Sequence, residues 1–413
     1  MNRGRRYENI LVLVLFLTFG TIFLDRMAQF YLAPYIIPDL RINDIQIGIM
    51  ASALAFAWAV SCLVFGAICD RFGRRVILIP AVFAFSLLSW VTGMVETFGQ
   101  MLLVRVLLGV AEGACYSPLM ATIEESSSPE RRGRNVGTVV SSAALVGTAV
   151  APILTTQVAA YIGWRWSFFV AGIPGVILGL VIWWYVEESL GKGEPGLVAQ
   201  KPTLRDYFTV VRYRNVVLCC LAGAANLTSL FFYAVFAPLY ITQVAHQAPT
   251  TAGFLMGAGG FGAFFAGIFF PALSDRVGRK PVLLLMATGS IFLPLSLLVT
   301  PLYGHLWLLA AIEFLLSTSQ AITSLVLVLI PTETVPARLA ATAIGAATMT
   351  AEFVGATIAP AIGGVIAQQS GVGTTLVISA GANVVLLCLT ALLKETTGRK
   401  AAALQSAAAG SAR

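Results

Sequence analysis

The sequence predicts an all-α membrane protein in which twelve transmembrane helices form two six-helix bundles. Three observations carry this prediction. Hydrophobic residues make up 58% of the chain and charged residues only 11%, against roughly 25% charged residues in soluble domains. Apolar stretches of spanning length recur along the whole chain, and a six-residue phrase of the first half returns in the second half.

A helix needs about 20 apolar residues to cross a bilayer, and twelve stretches of the sequence meet that length. The first half places them near residues 9–37, 44–69, 76–95, 99–122, 135–160 and 165–186. The second half places them near residues 214–243, 250–274, 281–300, 305–330, 338–368 and 371–393. The first stretch follows an Arg-rich start but continues past Asp25 without a small-residue cleavage site, so we expect a retained helix rather than a secretory signal.

The repeated phrase indicates that the chain is a duplicated structure. Asp70–Arg75 reads Asp-Arg-Phe-Gly-Arg-Arg, and Asp275–Lys280 reads Asp-Arg-Val-Gly-Arg-Lys. The repeat extends into neighbouring spans, because the Gly-xxx-Ala-Pro pattern of Gly147–Pro152 recurs as Gly355–Pro360. With six spans in each half, both copies run in the same direction across the bilayer, and such internal repeats are a recurrent build of secondary transporters.

A polar stretch divides the chain into two domains. Residues 187–213 combine charged residues with Gly and Pro, so we expect them to form a cytoplasmic linker, with a short amphipathic surface helix over residues 204–211. The N-terminal bundle then covers residues 1–186 and the C-terminal bundle residues 214–394. Residues 395–413 lack core-forming side chains, which predicts a disordered cytoplasmic tail.

The positions of the basic residues predict the orientation of the chain. Arg26 and Arg105 fall within predicted spans, and only Arg41 and Arg165 fall on the outer side once the spans are threaded from a cytoplasmic N-terminus. All other Lys and Arg lie on the cytoplasmic side, as the positive-inside rule requires. The net charge of +7 therefore records topology, and we expect no nucleic-acid partner. The sequence predicts a multi-pass cell (inner) membrane protein with both termini in the cytoplasm.

No motif of the sequence predicts an enzyme. The six Cys all fall within predicted spans and lack the spacing of metal ligands, so we expect no metal site. Gly257–Gly262 matches a dinucleotide fingerprint as text, but it lies inside the eighth span, where no strand precedes it. We therefore expect no cofactor and no catalytic residue.

Ionisable residues within the spans are the main candidates for function. Each costs roughly 2.5–3.5 kcal/mol near a helix centre unless it pairs or lines a wet cavity. They are Asp25 and Arg26 in the first span, Arg105 and Glu112 in the fourth, Glu313 in the tenth and Glu352 in the eleventh.

The N-terminal half concentrates these charges. Arg105 and Glu112 share a helix face but stand about two turns apart, so they cannot pair tightly with each other, and Asp25 and Arg26 are their candidate partners. The repeat aligns Asp25, Arg26 and Glu112 with the uncharged residues Ser229, Leu230 and Gln320.

Further polar residues are weaker candidates. Gln29 shares a helix face with Asp25, and Glu352 is predicted at mid-membrane depth as a proton site or a substrate contact. Asn226, Gln320 and Tyr233 are candidate polar groups of a cavity, although the aromatic run around Tyr233 favours packing. Glu313 takes the repeat position of Arg105, where we expect only a salt bridge near the outer surface.

The segment Gly66–Arg75 resembles the signature of the major facilitator superfamily, in the loop between the second and third spans. The second copy has Pro271 in place of the leading Gly. The resemblance implies the major facilitator fold and a gate in which Asp70 and Asp275 face the N-terminal ends of the eleventh and fifth spans. The gating residues implied are Gly66, Asp70, Arg71, Gly73 and Arg74 in the first copy and Asp275, Arg276 and Arg279 in the second.

A narrower resemblance links Phe23–Arg26, Arg105–Gly113 and Pro129–Arg134 to the anion:cation symporter family. It implies that Arg26 is the main anion anchor and that Asp25 and Glu112 carry protons. Arg105 is then a second anchor or the electrostatic partner of Glu112. The expected activity is import of a small organic anion with H⁺ by alternating access, driven by the proton gradient, in a monomer.

Two alternatives remain open at this point. Spinster-like transporters have a similar Asp-Arg pair, a similar Arg-to-Glu spacing and a stretch like Asn43–Gly48, which implies a lysolipid or drug exporter of the same fold. A non-transporting membrane sensor or binding protein is the third possibility.

Overall fold

The computed structural model describes residues 3–128, 130–187 and 209–396. These residues form helices, turns and short connections, with no β-strand among them. Twelve of the helices are long and apolar enough to cross a membrane, as the sequence predicts. Most of the predicted surface helix and of the predicted tail falls outside the described residues.

Within each half, the six spans follow one another with short connections. In the first half they are Arg5–Tyr31, Asp44–Gly66, Arg74–Thr92, Phe98–Ser126, Arg132–Ile162 and Trp164–Tyr185. In the second half they are Arg214–Val244, Pro249–Val277, Arg279–Leu297, Leu306–Thr334, Ala340–Ser370 and Val372–Leu392.

The first span ends earlier than the apolar stretch does. Its helix stops at Tyr31, and Ala33–Leu40 forms a separate short helix that contains Pro34 in its first turn. Proline has no N–H to continue the helical hydrogen-bond ladder, so the chain breaks before it although the residues stay apolar.

The fifth and eleventh spans share an irregularity of their helices. The repeated Gly-xxx-Ala-Pro pattern predicts that the two spans are alike, but it does not predict this irregularity. Both become π-helical, over Ala143–Val150 and Glu352–Ile358, just before the repeated Ala-Pro pair. Each of these prolines lacks an N–H, and its ring clashes with the preceding turn of an α-helix. The wider π-helical turn accommodates the ring.

The two halves repeat the same inter-helix contact at this feature. A Cβ on Gly147 would lie 2.6 Å from Cβ of Phe23, and a Cβ on Gly355 would lie 2.4 Å from Cβ of Leu227. Only glycine lets the first and seventh spans approach the fifth and eleventh this closely. The duplication is therefore present in the packing as well as in the sequence.

The halves touch each other mainly at one end of the molecule. We call the end that carries the loops Asp70–Arg75 and Asp275–Lys280 the basic end, and the other the opposite end. At the opposite end the second span packs on the eleventh and the fifth on the eighth. A Cβ on Gly48 would lie 2.2 Å from the Pro360 carbonyl oxygen, and one on Gly253 would lie 2.6 Å from the Pro152 carbonyl oxygen.

At the basic end the halves stand apart. An opening between them is lined from the N-terminal half by Arg132, Val136, Val140 and Ser141, and from the C-terminal half by Phe264, Pro271, Ser324 and Val328. The structure is therefore closed at the opposite end and open at the basic end.

Candidate functional site

The predicted charges of the N-terminal half converge inside its bundle. Asp25 and Arg105 are both fully buried, and Arg105 Nη1 lies 3.8 Å from Asp25 Oδ2. The other Asp25 oxygen, Oδ1, accepts a hydrogen bond of 2.5 Å from the Ser89 hydroxyl. Arg105 stacks over the Phe168 ring, with its Cζ 5.0 Å from the ring centroid. The pair thus joins the first, third, fourth and sixth spans.

The pairing of Arg105 with Asp25 is neither of the two roles that the resemblance implied for Arg105. Its partner is Asp25, and none of its guanidinium nitrogens makes a hydrogen bond to another described residue. Glu112 lies within electrostatic range of both Arg26 and Arg105. Arg105 and Asp25 neutralise each other's charge. Arg26 is therefore the cation of this cluster that has no carboxylate partner.

Arg26 is held by aromatic rings rather than by a carboxylate. Its Cζ lies 5.0 Å from the Trp58 ring centroid and 5.7 Å from that of Phe23. Tyr116 packs against Trp58, with ring centroids 5.2 Å apart. Among the described residues, none forms an ion pair with Arg26. A buried cation on aromatic faces keeps its hydrogen-bond donors for an anion.

Glu112, within electrostatic range of this cation, and Gln29, about one turn along the first span, are two further buried polar groups. Glu112 is fully buried and Gln29 is 2% exposed. Neither Glu112 oxygen and neither atom of the Gln29 amide has a hydrogen-bond partner among the described residues. Buried polar groups in folded proteins are nearly always paired, so unpaired ones next to a cation mark a place for a ligand or a proton.

Glu352 brings the C-terminal half to the same place. It stands at the start of the π-helical stretch of the eleventh span and lies within electrostatic range of Arg26. It also acts on Cys62 and Tyr116 of the N-terminal half. Arg26 therefore lies within electrostatic range of a carboxyl group of each half.

A central cavity lies beside this cluster, on another face of the first span. Phe23, Met27 and Tyr31 supply its wall from that span, and Arg26 is not on it. Phe23 contacts both the cavity and Arg26. Ala144 and Gln320 belong to this wall and also to the wall of the opening at the basic end, so the cavity and that opening adjoin each other.

The predicted polar residues of the C-terminal half do lie on this wall. They are Asn226, Tyr233 and Gln320. Asn226 donates a hydrogen bond of 2.9 Å to Thr323 Oγ1. Tyr233 donates to Glu313. We find no hydrogen bond from the Gln320 amide among the described residues, which leaves it able to contact a ligand.

The expectation for Glu313 was wrong. It is fully buried and makes no salt bridge with a described residue. Its oxygens instead accept hydrogen bonds from Tyr233 and, at 3.1 Å, from Ser296. The repeat position predicted that Glu313 lies within a span, but it carried no information about how that helix is rotated about its axis.

The predicted gating residues lie at the basic end. Gly73 and Gly278 turn the two repeated loops with φ of 104° and 114°, values that favour glycine strongly. Arg74 pairs with Glu125 at 2.8 Å, and Arg279 pairs with Glu333 at 2.7 Å. Gly66 lies in the second span opposite Ser117, whereas Arg71 and Arg276 are exposed.

Asp275 does not reach the other half in this state. It is 63% exposed and pairs with Arg279 at 2.6 Å, within its own loop. The side chain of Asp70 lies outside the part of the chain that the structure describes. Contacts of these residues with the fifth and eleventh spans remain a prediction for the state closed at the basic end.

Sequence reasoning missed the side chains that hold the charges in place. Ser89 and Phe168 carry no sequence signal beyond being in spans. The sequence carried an indirect signal for Trp58. Gly109 and Gly113 stand one turn apart beside Glu112, and this spacing predicts that a neighbouring helix packs closely there. A Cβ on Gly113 would indeed lie 2.6 Å from the Trp58 carbonyl oxygen.

The sequence profile of the Major Facilitator Superfamily matches residues 14–357. The chain is 27% identical to the hexuronate transporter of Bacillus subtilis (strain 168) over 335 residues, which cover 76% of this chain and 74% of that protein. It is 26% identical to the cis,cis-muconate transport protein of Acinetobacter baylyi (strain ATCC 33305 / BD413 / ADP1) over 370 residues, which cover 87% of each chain.

A solved structure supports the fold. The crystal structure of a bacterial homologue of the human lysosomal transporter Spinster, in an inward-facing and unoccupied conformation, matches with a TM-score of 0.71. The match covers 93% of this chain and 96% of that chain at 18% sequence identity. At this identity the likeness concerns the fold alone.

Proposed function

This chain belongs to the Major Facilitator Superfamily and is a transporter, and from that membership we propose that it is a proton-coupled symporter that imports a small organic anion. The basic end then faces the cytoplasm of the inner membrane, as do both termini, because it collects the Lys and Arg. The relatives named above transport organic acids, which supports an acid as the substrate.

The observation that carries the proposal is the combination of Arg26 and Glu112. Arg26 is a buried cation without a carboxylate partner, and Glu112 beside it is a buried carboxyl without a hydrogen-bond partner. A substrate carboxylate would bind the free donors of Arg26, and Glu112 would hold the proton. Asp25 is already engaged by Arg105, which leaves it as a proton carrier only when that pair opens.

Coupling follows from competition for Arg26. Without substrate, the positive charge of Arg26 stabilises ionised Glu112 and Glu352. A bound substrate anion takes over that charge, so protonation of Glu112 becomes easier when the anion is present. Anion and proton then favour each other's binding by the same factor, which is what linkage requires of a symporter.

Transport in proteoliposomes tests the proposal. Glucuronate, cis,cis-muconate and 3-(3-hydroxyphenyl)propionate are offered as probes with the outside more acidic than the inside. We expect one of them to accumulate, by about ten-fold per pH unit for each coupled proton, since one pH unit is worth 1.36 kcal/mol per proton. An ionophore that collapses the pH gradient should abolish accumulation.

Glu112→Gln separates proton coupling from anion binding. This variant should lose pH-driven accumulation and keep counterflow exchange, which needs no net proton movement. Glu96→Gln is the matched control, because Glu96 is exposed in the loop before the fourth span. Unchanged pH-driven accumulation in Glu112→Gln would contradict the role of Glu112.

An exporter of amphipathic lipids is the second candidate, and the central cavity favours it in one respect. Much of the cavity wall is apolar, with Phe23, Phe231, Met256 and Leu293 among its residues. Efflux of a fluorescent lysolipid from the same vesicles, without uptake of any of the three acids, would select the exporter.

A further inference from the structure

The C-terminal half buries a carboxyl group that the symport cycle described above does not use. Glu313 is 0% exposed, and each of its oxygens accepts one hydroxyl, from Tyr233 and from Ser296. No Lys, Arg or His of the described residues lies within salt-bridge distance of it. An ionised carboxylate without a counter-charge at this depth is costly.

The internal repeat places this carboxyl group opposite the charge cluster of the N-terminal half. The alignment that pairs Gly147 with Gly355 pairs Arg105 with Glu313, and the alignment of the first and seventh spans pairs Gln29 with Tyr233. Each half therefore buries polar side chains between its own first, third and fourth spans. They are Asp25, Ser89 and Arg105 in one half and Tyr233, Ser296 and Glu313 in the other.

Glu313 lies directly behind the cavity wall. Tyr233 and Gly259 are wall residues, and a Cβ on Gly259 would lie 3.6 Å from Glu313 Oε2. The tenth span also breaks one turn beyond Glu313, since one helix ends at Leu316 and the next begins at Ser319. Discontinuous helices are where secondary transporters place substrate and coupling-ion sites.

The groups that face Glu313 are all uncharged. Tyr233 comes from the seventh span and Ser296 from the ninth, and the phenol of Tyr303 lies within electrostatic range. Tyr31 of the first span acts on Tyr233 from across the cavity. The charged residues of the eighth and ninth spans, Asp275–Lys280, lie at the basic end.

We propose that Glu313 is a second proton-binding site of this transporter and that Tyr233 controls access to it from the cavity. The carboxylate takes up a proton from the cavity in the state open at the opposite end, and the resulting carboxylic acid keeps that proton behind Tyr233 when the halves rearrange. In the state open at the basic end, movement of Tyr233 lets the carboxylic acid release the proton to the cavity and become a carboxylate again, and no other group changes. The contribution of Glu313 to coupling rests on the proposed symport, whereas the binding of a proton by Glu313 does not.

Infrared difference spectroscopy tests the proton without any substrate. The full-length protein in lipid nanodiscs is stepped in pH, and the carbonyl band of protonated carboxyl groups is recorded. Wild type should show a band that disappears in Glu313→Gln and remains in Glu96→Gln. In Tyr233→Phe the same band should move to higher frequency, because one hydrogen bond to the carboxyl group is lost.

Two spectroscopic results would overturn the proposal. Identical carboxyl bands in wild type and Glu313→Gln at every pH would mean that Glu313 carries no proton. A band that is lost in Glu313→Gln but never responds to pH in wild type would mean a permanently neutral structural group. If Glu313→Gln does not fold, Ser296→Ala replaces it, since removal of that hydroxyl should shift the same titrating band.

Vesicle transport then tests the coupling. With the acid that wild type accumulates as the probe, Glu313→Gln should lower the steady-state accumulation ratio by about ten-fold per pH unit, with counterflow preserved. An unchanged ratio would overturn the role in coupling. If wild type accumulates none of the acids, the proposed symport fails, while the infrared measurement still decides whether Glu313 binds a proton.

Discussion

Replacing Gly48 with Ala should shift the molecule away from the state seen here. A Cβ at this position would lie 2.2 Å from the Pro360 carbonyl oxygen and 3.2 Å from Gly364 Cα. Both partners are backbone atoms of the eleventh span, so no change of rotamer relieves the clash. The second and eleventh spans would have to separate by about 1 Å to restore ordinary van der Waals distances.

The cost of this separation sets the size of the effect. Overpacking of a tight contact costs about 1–3 kcal/mol. The state that is open at the opposite end lacks the contact and does not bear this cost. The equilibrium between the two states should therefore move toward it by about 5- to 150-fold, which is the factor that corresponds to such energies.

Distance measurements between spin labels can detect this shift. Labels on cysteines introduced at Arg134 and Arg276 sit on exposed positions at the basic ends of the fifth and eighth spans. In Gly48→Ala we expect the distribution to gain a population at shorter distance, as the basic end closes. Gly381→Ala is the matched control, because a Cβ at Gly381 meets no atom within 4 Å. A distribution in Gly48→Ala that matches this control would refute the reasoning.

The remaining predictions concern the buried charges and one helix end. Asp25→Asn leaves Arg105 without its partner and should lower the free energy of unfolding in detergent by about 3–5 kcal/mol; the double variant with Arg105→Gln should recover part of it, and additive losses would argue against the pair. Trp58→Ala should weaken equilibrium binding of the transported acid by about 2- to 30-fold, because Arg26 loses a cation–π contact worth about 0.5–2 kcal/mol; equal affinity would contradict this. Glu395→Gln should lower the unfolding temperature. The Glu395 carboxylate accepts hydrogen bonds from two backbone N–H groups at the start of the ninth span, and such caps contribute about 0.5–2 kcal/mol. An unchanged unfolding temperature would show that the amide of Gln caps the helix equally well.

The scaffold of this molecule could be predicted from its sequence. Span length follows from hydrophobicity alone, and the repeated Gly-xxx-Ala-Pro pattern predicted that the fifth and eleventh spans share a structure. The convergence of Asp25 and Arg105 was also predictable, because a lone buried charge requires a partner. These features depend on local sequence, or on a free-energy cost of unpaired buried charge that is large enough to exclude other arrangements.

Other features depend on how each helix is rotated about its axis, and the sequence does not determine that by itself. The resemblance implied that Arg105 is a second anion anchor or the electrostatic partner of Glu112, and the placement of the fourth span pairs it with Asp25 instead. Glu313 was expected to form a salt bridge near the outer surface, and it instead accepts a hydrogen bond from Tyr233 inside its bundle. The position of Arg26 behind Phe23, rather than on the cavity wall, follows from the packing of several spans at once.

Simultaneous measurement of acid uptake and external pH in the same proteoliposomes tests the central proposal most directly. Wild type should take up the organic acid together with protons, so the medium becomes more alkaline in proportion to uptake. Glu112→Gln should exchange the acid without moving protons, and Arg26→Gln should do neither. Uptake of the acid with no proton movement in wild type, or the same proton-to-acid ratio in Glu112→Gln, would contradict proton-coupled symport through these two residues.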